Sequence, residues 1–233
     1  MRFSRWQAQG NVYLVADGPV TADTVRVEIG DTDGIVEIKD RGRDWIEVAI
    51  WNPDGSRAEM SGNGTRIAAR WLTDQTGVDV VTVRVGPREV VARMLPPPFV
   101  EQRLAYRVGE PDAAAGVRFV PVDVGNPHAV VEDDPAELPR IGPVLETDVH
   151  FPERTNVQVA RRLDEDTIEA RVWERGVGET QSSGTSAIAV AAAFGAGDVK
   201  VRFPGGDLHV RLDGEYAYLT GTAELSSAAT PEP

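Results

Sequence analysis

The feature that most constrains this chain is an internal echo. Glu59-Met60-Ser61-Gly62-Asn63-Gly64-Thr65 leads into a helix-like stretch, and about 120 residues later Thr180-Gln181-Ser182-Ser183-Gly184-Thr185-Ser186 leads into another. Serine and threonine are ordinary helix N-caps, so one such turn says little. Two at matching places in two halves point to a duplicated domain with a site between the copies. The 233 residues suit two domains of about 100–120 residues each.

The stretches around the echo fit that division. Val12–Ala16, Thr24–Ile29, Gly34–Ile38 and Asp44–Trp51 are short, rich in Val and Ile, and bounded by Gly, Asp or Pro, which predicts strands. Asn52-Pro53-Asp54-Gly55 is a turn, and Thr65–Thr76 reads as a helix with Ile67, Ala68, Trp71 and Leu72 on one face. Val80–Val85 and Val90–Leu95 read as a hairpin around Gly86-Pro87, and Pro96–Pro98 as a loop. Gly109–Gly116 is the candidate linker. Beyond it, strands are expected at Val117–Val124, Ala129–Glu132, Asn156–Arg161, Thr167–Trp173, Val199–Phe203, Leu208–Leu212 and Ala217–Leu219. Thr185–Phe194 is almost wholly Ala, Ile and Val. A helix that apolar all round belongs inside a layer of strands. Ser226–Pro233 has the composition of a flexible tail.

Composition narrows the function. The net charge of -13 and the lack of any Lys/Arg cluster argue against nucleic acid as a partner. No apolar run is long enough to span a bilayer, and the N-terminal MRFSRWQAQGNVYLV lacks a signal peptide's continuous apolar core, so cytoplasmic residence is expected. With no cysteine, disulfides, thiolate metal sites and thiol nucleophiles are ruled out. The three histidines, His128, His150 and His209, lie too far apart in sequence to suggest a metal site. No metal and no organic cofactor is expected.

The two turns have a chemistry of their own. A helix start presents free N–H groups and the positive end of its dipole, and small residues let an anion approach closely. Two such ends could hold one carboxylate and stabilise the charge that grows when a proton leaves the neighbouring carbon. Two capped core helices would leave the same trace in the sequence.

The surrounding residues sharpen the reading. Asn52-Pro53-Asp54-Gly55-Ser56-Arg57-Ala58-Glu59-Met60-Ser61-Gly62-Asn63-Gly64 resembles the first active-site motif of the diaminopimelate epimerase family, with Ser61 in the cysteine position. Glu174-Arg175-Gly176-Val177-Gly178-Glu179-Thr180, with Ser183-Gly184-Thr185 after it, resembles the second motif, with Ser183 in the cysteine position. Gly10-Asn11, Gly125-Asn126-Pro127-His128, Phe151-Pro152-Glu153-Arg154-Thr155-Asn156-Val157, Pro204-Gly205-Gly206 and Leu219-Thr220-Gly221-Thr222-Ala223-Glu224 resemble further family motifs, in the family's order.

The resemblance implies an α/β fold of two pseudosymmetric domains, each a curved mixed sheet wrapped around a central helix. The first would cover residues 1–112 and be completed by a returning strand at about 216–225; the second would cover 113–215. It also implies cofactor-independent racemisation at the α-carbon of L,L-diaminopimelate, giving the meso form, with a small amino acid as partner; a homodimer is compatible with it. In the family one cysteine removes the α-proton and the other delivers a proton from the opposite face. Carried over, the catalytic positions are Ser61 and Ser183, with His128 and Glu174 beside them. The carboxylate would be held at Gly62, Asn63, Gly64, Gly184 and Thr185. The remaining substrate contacts would be Asn11, Asn52, Asn126, Asn156, Glu174 and Arg175. Arg175 suits a distal carboxylate and Glu174 an ammonium.

The departures are specific. A serine hydroxyl is a far weaker acid than a thiol of pKa about 8.5 and needs an adjacent base. The family's two-thiol reaction therefore cannot run here unchanged. Ile67 and Ala129 also stand where relatives commonly have cysteine, which fits a loss across the lineage better than an engineered pair. Val12 replaces an acidic residue, and Val27–Gly34 is shorter than its counterpart. Slow epimerisation, isomerase or dehydratase chemistry on another amino acid, and non-catalytic amino-acid binding all stay open.

Overall fold

The computed structural model describes residues 2–228, and the chain divides into two compact units. Unit 1 holds Met1–Arg103 together with the chain from Gly221 onward; unit 2 holds Leu104–Thr220.

In unit 1 the elements run β1 (Arg2–Ala8), β2 (Asn11–Asp17), α1 (Ala22–Glu28), β3 (Gly34–Arg41), β4 (Trp45–Trp51), β5 (Arg57–Ala58), α2 (Gly62–Thr76), β6 (Val80–Val85), β7 (Arg88–Met94) and β8 (Phe99–Ala105). Strands β1 and β2 pair antiparallel, β2 and β3 parallel, β3 and β4 antiparallel, β4 and β6 parallel, and β6, β7 and β8 in antiparallel succession. A parallel step needs a crossover, and α1 and α2 are the two crossovers. Helix α2 packs Ile67, Ala68, Ala69, Trp71 and Leu72 into one core with Val15, Val36, Val48, Val81 and Ala92 of the strands. It ends at Gly77, whose φ of 71° is the left-handed cap that glycine adopts without strain.

Unit 2 repeats this plan. It runs β9 (Arg107–Val108), β10 (Asp112–Ala114), β11 (Val117–Asp123), β12 (Pro127–Glu132), a 3-10 turn at Pro135–Glu137, α3 (Leu138–Glu146), β13 (Asn156–Arg162), β14 (Thr167–Glu174), β15 (Gly178–Thr180), α4 (Gly184–Ala193), β16 (Asp198–Phe203), β17 (Gly206–Asp213) and β18 (Tyr216–Thr222). The pairings β11–β12, β12–β13, β13–β14, β14–β16, β16–β17 and β17–β18 are antiparallel, parallel, antiparallel, parallel, antiparallel and antiparallel, the same series as in unit 1. The duplication read from the two Ser-Gly turns is therefore a duplication of the whole sheet order. Past its first turn helix α4 has no polar side chain; Gly184 through Ala192 are all buried, against strands β11–β14, β16 and β17. The last strand, β19 (Glu224–Ala228), belongs to unit 1 and pairs antiparallel with β1.

Three expectations need correction. Thr24–Ile29 falls in helix α1, not a strand. Its Val-Arg-Val alternation suggests period 2, but Thr21 and Thr24 form a reciprocal capping box and only Val25 is buried. Within the candidate linker Gly109–Gly116, Asp112–Ala114 pairs with β11 as β10. Of the presumed tail, Ser226–Ala228 is strand, held by the Ser226 hydroxyl donating to the Arg5 carbonyl (2.9 Å); 229–233 lies outside the described residues. Helix α3 had no sequence signal, because Pro139, Gly142 and Pro143 all disfavour helix.

Gly142 shows what that helix is for. A Cβ there would stand 2.8 Å from the Trp173 Cβ, so α3 approaches β14 more closely than any side chain allows. Because the clashing atom is anchored to backbone, it cannot swing away. We expect Gly142→Ala to destabilise the protein by about 1–3 kcal/mol despite alanine's better helix propensity, read as a lower urea midpoint. An unchanged or higher midpoint would contradict this packing.

Candidate active site

In unit 1 the candidate residues lie on strand β2, the turn after β4, and the start of α2. Ser61 is the N-cap of α2: its backbone is extended (φ -142°) and its Oγ accepts from the Gly64 N–H at 3.0 Å. Gly62, Asn63 and Gly64 form the buried first turn. A Cβ on Gly64 would meet Ile50 Cδ1 at 3.1 Å and Ser61 Oγ at 3.3 Å, so the small residue is what lets the serine sit there. The Thr65 hydroxyl donates back to the Ser61 carbonyl (2.8 Å). Asn52 holds its own turn: its backbone N–H donates to the Ser56 carbonyl (2.9 Å) and its side-chain amide to the Ser56 hydroxyl (3.0 Å). Asn11 is buried at the start of β2, after a turn in which Gln9 and Gly10 both have positive φ. Next to it, Val12 exchanges two hydrogen bonds with Asp33: the Val12 N–H donates to the carboxylate and the Asp33 N–H to the Val12 carbonyl, each at 2.7 Å. Burial raises the Asp33 carboxyl above its usual range, against the pull of the Val12 N–H.

Two further residues belong to this part of unit 1, Tyr13 beside Ser61 and Arg66 behind Asn63. The Tyr13 hydroxyl lies 3.2 Å from Ser61 Oγ. Asn11 and Tyr13 are two apart on one strand and so share a face, which was the available signal. Arg66, in α2, is completely buried. Its guanidinium donates to the Asn63 side-chain carbonyl and, at 3.4 Å, to the Thr222 backbone carbonyl. An arginine in a helix reads as surface, so nothing in the sequence marked it.

Unit 2 builds on the start of β12, the β14–β15 turn and the start of α4. Ser183 is the N-cap of α4 and buried, yet its hydroxyl makes no capping bond; its nearest polar partner is Thr185 Oγ1 at 3.5 Å. Asn156 ties two motifs together, donating to the Pro127 carbonyl (2.8 Å) and accepting from the Arg175 N–H (3.0 Å). Glu174 accepts from the Thr180 hydroxyl at 2.5 Å, and Arg175 donates to the Glu153 carbonyl at 3.2 Å. The turn between them is fixed from below by Glu146, also not foreseen. Its carboxylate accepts from the Gly176 N–H (2.8 Å) and the Trp173 indole (2.7 Å).

His128 is fully buried, and its two ring nitrogens are both engaged. Nδ1 lies 3.0 Å from the Gln158 amide nitrogen and so accepts; Nε2 lies 2.9 Å from Asn126 Oδ1 and so carries the proton and donates. Burial, with a smaller push from Arg175 and against the Gln158 bond, lowers its pKa from 6.5 to about 3. The ring is therefore neutral at working pH and geared to orienting Asn126.

That shift has a stability consequence. The unfolded chain binds a proton at this histidine below pH 6.5 and the folded chain does not until about 3. The folded state is thus favoured fully above 6.5 and loses that advantage as pH falls through this window, by up to about 1.4 kcal/mol per pH unit. We expect the urea midpoint to fall between pH 7 and pH 5, and His128→Gln to flatten that dependence. An equally steep dependence in the variant would assign it elsewhere.

The profile of the family described as Diaminopimelate epimerase matches residues 120–226. A protein of Desulfovibrio desulfuricans named diaminopimelate epimerase is 32% identical, over 96% of this chain and 95% of its own length. One from Xylella fastidiosa, of the same name, is 34% identical over 96% and 93%. Among solved structures, a predicted epimerase from Pseudomonas aeruginosa superposes with a TM-score of 0.78 at 16% identity, covering 98% of this chain and 99% of that one. A probable proline racemase from Agrobacterium radiobacter gives 0.75 at 15%, covering 99% and 92%. The structures share the fold; the sequence relatives, aligned almost end to end, show that the chain belongs to the diaminopimelate epimerase family.

Proposed function

We propose that this chain is a cofactor-independent epimerase that inverts the α-carbon of L,L-diaminopimelate to the meso form. The observation that carries the reading is the end-to-end relationship to proteins named diaminopimelate epimerase, in a chain whose motif serines both stand at the N-cap position of a helix with a buried first turn. In this reading Ser61 and Ser183 work on opposite faces of the α-carbon. The first-turn N–H groups at Gly62, Asn63, Gly64, Gly184 and Thr185 take the α-carboxylate, where the charge of the carbanion develops. Asn11, Asn52, Asn126 and Asn156 orient the ligand. Arg175 pairs with the distal carboxylate and Glu174 with an ammonium. His128 holds Asn126 in place. The net change is small: one proton leaves the α-carbon and another returns to its other face. We extend the reading to a cytoplasmic homodimer in lysine and cell-wall precursor synthesis, without nucleic acid or membrane as partner.

Serine at both positions favours a second reading, an altered relative that acts on a different amino acid or only binds one. The two separate on one experiment. If the site is built for diaminopimelate, it lacks only groups that ionise near neutral pH. Ser61→Cys/Ser183→Cys would then raise epimerisation of L,L-diaminopimelate by about 10²–10⁴-fold, the usual contribution of general acid–base catalysis. No gain, together with no binding of diaminopimelate, would retire this substrate.

A further inference from the structure

Within the proposed reaction, the Ser61 side of the site, like the Ser183 side, has a serine where an acid–base group of workable pKa is needed. We infer that the Tyr13 hydroxyl supplies it, working through Ser61 as a proton-relaying pair. This rests on the function proposed above.

Three observations converge on the pair. First, the Tyr13 and Ser61 oxygens are 3.2 Å apart. Second, Ser61 keeps its own proton available. Ser61 Oγ accepts the Gly64 N–H at 3.0 Å and spends no donor on it, and toward a Tyr13 phenolate, which can only accept, the Ser61 proton is the one donated. Third, the cation that interacts with Tyr13 is buried without a carboxylate. Arg66 is completely enclosed, bonded to an amide and a backbone carbonyl, and no ion pair to it is found among the described residues. Burial pushes its pKa down to about 10, and the charge that opposes this is that of the Tyr13 phenolate. The interaction is mutual: a cation that is steadied by a phenolate favours the phenolate in return. The Tyr13 ring is also firmly seated. It lies over Gly34 of the neighbouring strand, where an added Cβ would stand 2.7 Å from the ring.

The chemistry follows from ordinary acidities. A phenol ionises near pH 10, about 1.5 units above a thiol, whereas a serine hydroxyl is far weaker. In the forward step the α C–H bond breaks and its electron pair stays on the substrate, delocalised toward the carboxylate. The proton passes to Ser61 Oγ while the Ser61 proton passes to the Tyr13 phenolate, which becomes a phenol. The α-carbon then takes a proton on its other face from the Ser183 hydroxyl, which recovers one from water, and Tyr13 returns its proton to water or, in the reverse direction, through Ser61 to substrate.

Tyr13→Phe keeps the ring and removes the oxygen. The substrate-free test is the ultraviolet phenolate signal. The protein has four tyrosines, and the difference between wild type and Tyr13→Phe isolates one. We expect that step at lower pH than the other three and displaced upward in Arg66→Gln, with Arg66→Lys as the control should Arg66→Gln not fold. A Tyr13 step that coincides with the others, or that ignores the Arg66 change, overturns the pairing whatever the substrate. The second test is the rate of epimerisation across pH. Tyr13→Phe should lower it by about 10²–10⁴-fold and abolish its rise on the alkaline side. Adding Ser61→Cys to Tyr13→Phe should restore turnover, since a thiol needs no partner; a merely structural defect would not be rescued. Tyr13→Phe with the wild-type rate and pH profile overturns the proposal. A low-pH phenolate step in a protein that does not turn over diaminopimelate upholds the pair and instead sinks the assigned function.

Discussion

A helix with no polar face has to be enclosed, and the site depends on that necessity. From Ala187 onward helix α4 presents Ala, Ile and Val on every side, and unit 2 buries it among six strands of its sheet. Enclosure carries the helix start inside as well, with N–H groups that have no partner within the helix. A buried polar group left unsatisfied costs about 1–3 kcal/mol. In unit 1 the Ser61 hydroxyl takes up part of that demand by accepting from Gly64. In unit 2 the Ser183 hydroxyl does not cap. Each helix start is electropositive by construction and suited to an anion.

The supporting residues act on the loops that flank these helices. Glu146 grips the Trp173 indole and the Gly176 N–H, which sets the turn carrying Glu174 and Arg175; Gly142 lets its helix come close enough to do so. Gln158 fixes the tautomer of His128, and His128 fixes Asn126. In unit 1, Arg66 holds the Asn63 side chain. A site that must distinguish the two faces of one carbon needs its groups held to fractions of an ångström, and a chain of buried hydrogen bonds does this at little cost in entropy when substrate arrives.

Much of this was legible in the sequence. The echo of the two Ser-Gly turns revealed a duplication that extends to every paired strand, and Thr185–Phe194 announced its burial by composition alone. Helix α2 was read from Thr65 but begins at Gly62, because Gly-Asn-Gly scores poorly as helix and only the cap geometry overrides it. What stayed hidden was long-range. Strand β8 buries Gln102 between Val100 and Leu104, so its apolar alternation is broken at the middle. The crossover helix α1 looks like a strand until its capping box is seen. Tyr13 and Arg66 matter through contacts with residues about 50 positions away, or more, such as Ser61 and Thr222, and local pattern carries no trace of those.

The central claim is that this serine-for-cysteine site still moves a proton off one face of an α-carbon and onto the other. The most direct measurement is to incubate L,L-diaminopimelate with the unmodified protein in deuterium oxide and read both isomers early in the reaction. The account predicts that the meso product carries solvent deuterium at the inverted carbon while the remaining L,L isomer keeps its hydrogen, the sign of two groups on two faces. Equal deuterium in both isomers would mean a single base, and no deuterium in either, with the ligand bound, would mean that the protein holds diaminopimelate without reacting it; either result contradicts the account.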